Sequence, residues 1–566
     1  MNPQCDRCGI PFSSPLLPTP TQTTEVLQLL RTNSTPSDPF EMDAVIASCS
    51  ADVVGYDTEI GRLKQTLSRL VSERNTLQRH VDTCRSVFAP VRRLPPEILA
   101  KIFALCASPP LLWCDETQSI PTAGSASFGQ SHLMRLLRVC SAWHTIVTTT
   151  PFLWADLEVD LDALLFTPGR MVDTLSRLLD RSGQCSMVLH LTASIGRFNN
   201  SLELLGRCAT RWRIADLHLS NEACLQLSRV TGRNFPCLES LAIGGTDVAG
   251  RDIFETAPNL RRVIISAVDG ALPKLPWSQL HELTYYAFQP RVLRPDVLAN
   301  RLAIMALCSN ECEVNIYSLN LSFFDSSTFS AIRLAVESHI PIFRLAILDR
   351  NGEEHSREAL GEIITALTLP NLQELHFRSS RPEAHPLFWP RDHFPAFASR
   401  SCFRDILTKL FLYDMVIAED ELVECLSDMR ALMELFIQDV VGSSDHEENI
   451  LINDTLLRRL TWRSDSSCIA PNLNIFSFAS LFFFDDDALV PFVESRARPA
   501  ERHDSSPFRM EAFALVDSEL NIRVIGHGFG VDAIAHMDTL QKQGVLRWAR
   551  HGRKGLQQRF PDVHLF

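Results

Sequence analysis

Across 566 residues, no apolar run approaches the roughly 20 residues that a helix needs to cross a bilayer. The densest, Ile475 to Phe484, falls well short, so no membrane partner is expected. Positive charge is scarce too. Lys and Arg number 54 against 67 Asp and Glu, for a formal net charge of -13. A grip on nucleic acid needs a basic face, so no nucleic-acid partner is expected either. Met1-Asn2-Pro3-Gln4-Cys5 has no basic stretch followed by an apolar core, so nothing reads as a secretory signal. The expectation is cytoplasm or nucleus, with the 16 cysteines held as reduced thiols. Cys5-x-x-Cys8 is half of a zinc knuckle without a second C-x-x-C to close the site. No metal is assigned. The phosphate loop G-x-x-x-x-G-K-[ST], H-E-x-x-H and the G-x-S-x-G elbow are missing. The chain is therefore read as a non-enzyme with no catalytic residue and no cofactor.

What is present is ample core material: 45% of residues are hydrophobic, enough for a folded chain. The length exceeds one hydrophobic core, which predicts several units or a repeat array. Residues 1–55 are rich in Pro, Ser and Thr and are expected to be a disordered tail. The pattern then changes. Ile60, Leu63, Leu67, Leu70, Leu77, Val81, Cys84 and Phe88 recur at alternating spacings of three and four, with Arg74 at the remaining seam position. This is a heptad stripe, so residues 56–89 are expected to form a helix. Its stripe suits either a homodimer through 60–88 or packing on the following domain.

Pro90 ends that pattern, and Leu94-Pro95-Pro96-Glu97-Ile98-Leu99 opens another helix. Pro96 suits the first turn, where its missing N–H is no loss, and Glu97 complements the helix dipole. Ile98, Ile102 and Leu105 mark one apolar face. A polar insert around 114–131 follows, then Leu133, Leu136, Leu137, Val139, Cys140 and Trp143 at helical spacing, and finally Pro151-Phe152-Leu153-Trp154.

In order and spacing, Leu94-Pro95-Pro96-Glu97-Ile98-Leu99, Val139-Cys140-x-x-Trp143 and Pro151-x-Leu153-Trp154 resemble the F-box-like domain of many fungal proteins. The insert between the first two helices departs from that pattern. The resemblance implies binding to a Skp-type adaptor and, through it, a cullin, with a protein substrate of unknown identity held elsewhere. It implies that Leu94, Pro95, Pro96, Ile98, Ile102, Leu137, Val139 and Trp143 lie in or behind the adaptor interface. A plain helical bundle with the same residues in its core is the alternative.

Beyond residue 200 a short unit recurs, apolar-x-x-apolar-x-apolar. Copies are Ile214–Leu219, Leu238–Ile243, Leu260–Ile265, Leu280–Tyr285, Ile342–Ile347, Leu372–Phe377, Leu407–Leu412, Leu432–Ile437, Leu457–Trp462 and Leu473–Phe478, with a diverged copy near Val314-Asn315-Ile316. They resemble irregular leucine-rich repeats, in which each copy adds one strand to a shared parallel sheet. The substrate surface would then be the outward strand positions, Ala242, Ile264, Thr284, Ala346, His376, Phe411, Phe436 and Thr461, with none privileged.

Three lesser motifs carry no chemistry of their own. Gly526-His527-Gly528-Phe529-Gly530 lacks the rest of a dinucleotide fingerprint and reads as a turn in a repeat cap. Asp485-Asp486-Asp487 reads as a solvated turn, and Arg547, Arg550, Arg553, Lys554 and Arg559 as a solvated helix face. The expected fold is α/β: tail 1–55, heptad helix 56–89, F-box-like domain 90–156, leucine-rich-repeat solenoid 157–500 and C-terminal cap 501–566. The expected function is substrate recognition for a ubiquitin ligase. The alternatives are a scaffold that self-associates through its heptad helix and an enzyme built on the glycine loop near Gly528.

Overall fold

The computed structural model describes residues 20–36, 38–107, 131–162, 168–193, 200–245, 252–267, 273–286, 295–322, 335–380, 386–440, 449–463, 468–497, 507–514 and 529–551. The chain divides into two compact units, Met1–Leu99 and Ala100–Phe566.

The first unit contains helix α1 (Pro20–Thr32) and helix α2 (Pro39–Val87, 49 residues). Asp38 caps α2: its side chain accepts from the Phe40 and Glu41 amides, and Pro39 occupies the first turn. The tail expected over 1–55 is thus helical at Pro20–Thr32 and from Pro39 onward, and the helix expected from 56 starts at Pro39. The Asp38-Pro39 start signal carries the difference. The apolar residues that follow it are diluted by Ser and Ala, which read as low complexity but cost a helix little. No residue of α2 is buried. Exposed pairs Glu59–Arg62, Arg69–Glu73 and Asp82–Arg85 line it, and water screens each of them so that they stabilise it little. Phe88 closes the last turn on Arg85 and Ser86, and the Pro90–Arg93 turn follows.

In the second unit, short helices α4 (Ser131–Leu136) and α5 (Ser141–Thr149) and the turn Pro151–Trp154 lead into a parallel sheet. Its fourteen strands among the described residues are Asp156–Asp160, Met187–Ala193, Trp212–Leu219, Ser240–Gly245, Arg262–Ala267, Glu282–Tyr286, Glu313–Asn320, Ile342–Leu348, Glu374–Ser379, Lys409–Tyr413, Glu434–Gln438, Ile475–Ser480, Phe508–Ala514 and Leu546–His551. Each lies beside its neighbour in this series, all parallel. Parallel neighbours need crossover connections, and helices such as Asn221–Thr231, Glu353–Thr365 and Asp486–Ala497 stand between them.

Alternate strand residues build the core. Leu241 and Ile243, Val263 and Ile265, Leu375 and Phe377, and Leu435 and Ile437 are all buried, as the period-two pattern requires. A backbone ladder joins the strand entrances: Glu239 N donates to Arg213 O, Arg261 N to Glu239 O, His281 N to Arg261 O and Glu313 N to His281 O. Asn259 of Pro258-Asn259-Leu260 and Asn472 of Pro471-Asn472-Leu473 donate to the Pro236 and Arg430 carbonyls one connection earlier.

The structure departs from expectation at four places. Leu457–Trp462 is not a strand; it falls on helix Asp454–Leu460, whose Asn453 cap accepts from Leu456 N at 2.9 Å and whose Leu456, Leu457 and Leu460 are buried at helical spacing. The copies at Ile214 and Ile342 are strands, but two residues out of step: Ala215 pairs with Leu241, and Phe343 with Leu375. A slip of two preserves the alternation, so the pattern alone does not reveal it. The region expected as a cap supplies Phe508–Ala514 and Leu546–His551 to the same sheet, so Arg547 and Arg550 are on a strand and not a helix. Asp486 is not a free turn residue: it starts helix Asp486–Ala497 and accepts from Gly530 N at 3.0 Å.

Candidate functional site

Helix α3 (Pro96–Ala107) starts where Leu94-Pro95-Pro96 predicts. Pro95 O accepts from both Ile98 N and Leu99 N at 3.1 Å. Two faces follow from the 3.6-residue period. Leu99, Ala100 and Phe103 are buried, whereas Ile98, Ile102 and Leu105 are 42%, 37% and 82% exposed. Within the second unit, the Trp143 ring rests on Phe103 with centroids 4.7 Å apart. Val147 is fully buried, and its carbonyl accepts from Trp154 Nε1 at 2.7 Å. The Arg181 guanidinium lies over the Trp154 ring at 4.5 Å.

Each expected interface residue can now be placed within its own unit. Pro95, Pro96 and Ile98 are exposed and Leu94 is half-buried; Ile102 and Val139 are exposed, and Leu137 and Trp143 are half-buried. None is fully buried, unlike Phe103, Leu133 and Val147, which form the core. Most of the insert around 114–131, together with Cys5, Cys8, Gly526, His527, Gly528, Arg553, Lys554 and Arg559, lies outside the described residues. Among the described residues, no group of three or more His, Cys, Asp and Glu is placed to hold a metal ion. Cys308 and Cys312 do fall at a metal-ligand spacing, but their mutual hydrogen bond and burial push the Cys312 thiol well above its ordinary value. No described helix is long and apolar enough to cross a membrane.

The outward positions of the sheet differ from expectation. Ala242, Ile264, Thr284, Asn315, Arg344, His376, Phe411, Phe436 and Ser477 share one register row. Arg344 therefore takes the place expected for Ala346, and Thr461 is off the sheet, at the end of helix Asp454–Leu460. Ala242, Ile264 and His376 are half-buried, while Thr284, Ala346, Phe411 and Phe436 are buried. Phe411, Tyr413, Phe436, Ala479 and Phe513 form a buried apolar cluster on this face, so Phe411 and Phe436 are not free contact residues. His376 stacks on Phe411 with centroids 4.0 Å apart.

Two residues earlier, Arg262, Glu282, Glu313, Glu374, Lys409 and Glu434 form a charged row, interrupted at Ile342, which Arg344 joins from the outward row. Arg344 bridges Glu313 and Glu374, and Lys409 stands 3.1 Å from Glu374. The signal was available: Glu282, Glu374, Lys409 and Glu434 occupy the same place in their copies. Burial opposes the charge on Glu374, but the hydrogen bond from His376 and the charges of Lys409 and Arg344 hold its pKa near 2. Burial lowers His376 to about 4, so at neutral pH it is an uncharged donor to Glu374.

Asp439, just after the eleventh strand, behaves oppositely. Burial pushes it up to about 7 although Ser480 Oγ donates at 2.6 Å and Leu451 N at 2.9 Å. A folded-state pKa above the unfolded value means that stability is full below about pH 3.8 and declines as pH rises through about 7. Asp439→Asn should remove that decline. In urea denaturation the variant should gain up to about 4 kcal/mol over the parent at pH 8 and approach it at pH 4; a gain independent of pH would refute the assignment.

Residues 91–159 match the family model described as F-box-like. The chain thus carries an F-box-like domain whose span takes in α3, Trp143 and Trp154. No curated protein matches the chain.

Proposed function

We propose that this protein is a substrate-recognition adaptor of a Skp, cullin and F-box ubiquitin ligase. The F-box-like match over 91–159 carries the reading. F-box-like domains are generally adaptors, and the domain docks the Skp-type adaptor, which brings the cullin. Leu94, Pro95, Pro96, Ile98, Ile102, Leu137, Val139 and Trp143 make or back that interface. An exposed Ile98, Ile102, Leu105 stripe on α3 supports it, because an apolar face left in water favours a partner.

We read the sheet as an irregular leucine-rich-repeat solenoid that holds the substrate; its sequential parallel order and entrance ladder support this. The mechanism is proximity. Holding substrate and ligase on one chain raises effective concentration, with no chemistry by this protein. Such a protein works in the cytoplasm or nucleus. The second reading, an interaction scaffold, is favoured by the exposed seam of α2.

The test is co-purification of the full chain with the Skp-type adaptor of the same organism. An Ile98→Asp, Ile102→Asp variant should fold as the parent does, since both side chains are exposed. It should lose adaptor affinity by more than roughly a hundredfold, the scale of two central apolar anchors. A folded parent that does not bind the adaptor would overturn the ligase reading.

A further inference from the structure

The seam of α2 is longer than its most regular part. The helix starts at Pro39, and the heptad register of Ile60 and Leu63 continues backward through Tyr56, Val53, Cys49, Ile46 and Met42 without a skip. First positions of the heptad are Ile46, Val53, Ile60, Leu67, Arg74 and Val81. Fourth positions are Met42, Cys49, Tyr56, Leu63, Leu70, Leu77 and Cys84. Met42 is half-buried and the others with apolar side chains are exposed. Gly55 and Gly61 stand outside the seam. A seam kept in register over the whole helix matches a helical partner and not a globular one.

Charge identifies the partner. Residues 39–59 hold five acids (Glu41, Asp43, Asp52, Asp57, Glu59) and no base. Residues 60–87 hold six bases (Arg62, Lys64, Arg69, Arg74, Arg79, Arg85) and two acids (Glu73, Asp82). The halves carry -5 and, from 6 − 2, +4. A parallel pair would set like on like and face Arg74 with Arg74. An antiparallel pair sets the acidic half of each copy on the basic half of the other. Setting first against fourth positions with residues 46–84 overlapped then places Ile60 opposite Leu70, Leu63 opposite Leu67, and Arg74 opposite Tyr56, whose ring face suits a cation.

We infer that α2 pairs with α2 of a second copy as an antiparallel two-stranded coiled coil over residues 46–84. The helix is about 74 Å long, so the two Pro90–Arg93 turns lie at opposite ends of the rod. The inference rests on α2 alone and stands whether or not the chain serves a ligase.

The native thiols report the direction. In the antiparallel pair Cys49 faces Val81, and Cys84 faces Ile46; in a parallel pair Cys49 meets Cys49 and Cys84 meets Cys84. Mild oxidation of the full-length Val81→Cys chain, with linked peptides read by mass spectrometry, should give a Cys49 link to residue 81 of the other copy. Links of Cys49 to Cys49 or Cys84 to Cys84 would overturn the inference. Sedimentation of the parent chain should show a dimer that weakens with added salt. Leu63→Asp, Leu67→Asp should raise its dissociation constant more than roughly tenfold, with the second unit still folded because α2 has no buried residue. A parent that sediments as a monomer up to about 100 μM, weaker than a coil of this length gives, would also overturn it.

Discussion

Arg496→Met should lower folding stability by about 2–3 kcal/mol or more, a cost set by the Leu460 and Ile469 carbonyls it would strand. Arg496 lies in helix Asp486–Ala497 and is 1% exposed. Its guanidinium donates to Leu460 O at 2.9 and 2.6 Å, to Ala470 O at 2.7 Å and to Ile469 O at 2.8 Å. Those carbonyls end helix Asp454–Leu460 and form the approach to strand Ile475–Ser480; Ala470 O also accepts from Leu473 N at 3.1 Å. A fork with fixed donor geometry serves all three, which an ammonium on a flexible stem does not. Lysine should recover only part of the loss. Chemical denaturation of the parent and both variants measures it; a methionine variant as stable as the parent would mean that water replaces the guanidinium.

Trp154→Ala should cost about 3–5 kcal/mol, the range for emptying a large core site. The indole is fully buried, ties itself to α5 through Val147 O and carries Arg181 on its face. It sits two residues before the first strand, Asp156–Asp160, so it joins the last helix of the F-box-like domain to the start of the sheet. Trp154→Phe keeps the apolar ring but not the N–H, and should lose less, about 1–2 kcal/mol. The comparison separates packing from the hydrogen bond. Equal losses would place the whole effect in the hydrogen bond.

How much of this could be read in advance depended on the range of the interactions involved. The strand positions were legible because each leucine unit is local and period two is strict: Leu238–Ile243 and Leu372–Phe377 lead straight into strands Ser240–Gly245 and Glu374–Ser379. The start of α3 at Leu94-Pro95-Pro96 was legible for the same reason. Register was not, because the pairing of Phe343 with Leu375 is decided between strands and not within one. Leu457–Trp462 satisfied the strand unit and the helix spacing equally, and the Asn453 cap decided for the helix. Phe411 and Phe436 carry the alternation of outward residues, yet only tertiary packing shows that this part of the outward face is itself buried.

The entrance ladder of the sheet has a kinetic consequence. Among the described residues, every strand between the first and the last hydrogen-bonds to the strands that immediately precede and follow it in the sheet series, and none pairs with a strand from the far end of the chain. Loop closures therefore stay short, contact order stays low for so large a sheet, and growth can start from any pair of adjacent strands. The same arrangement limits cooperativity. A lesion such as the loss of Arg496 falls on one junction between neighbours, and the array should open there first, leaving the strands on either side folded as separate blocks.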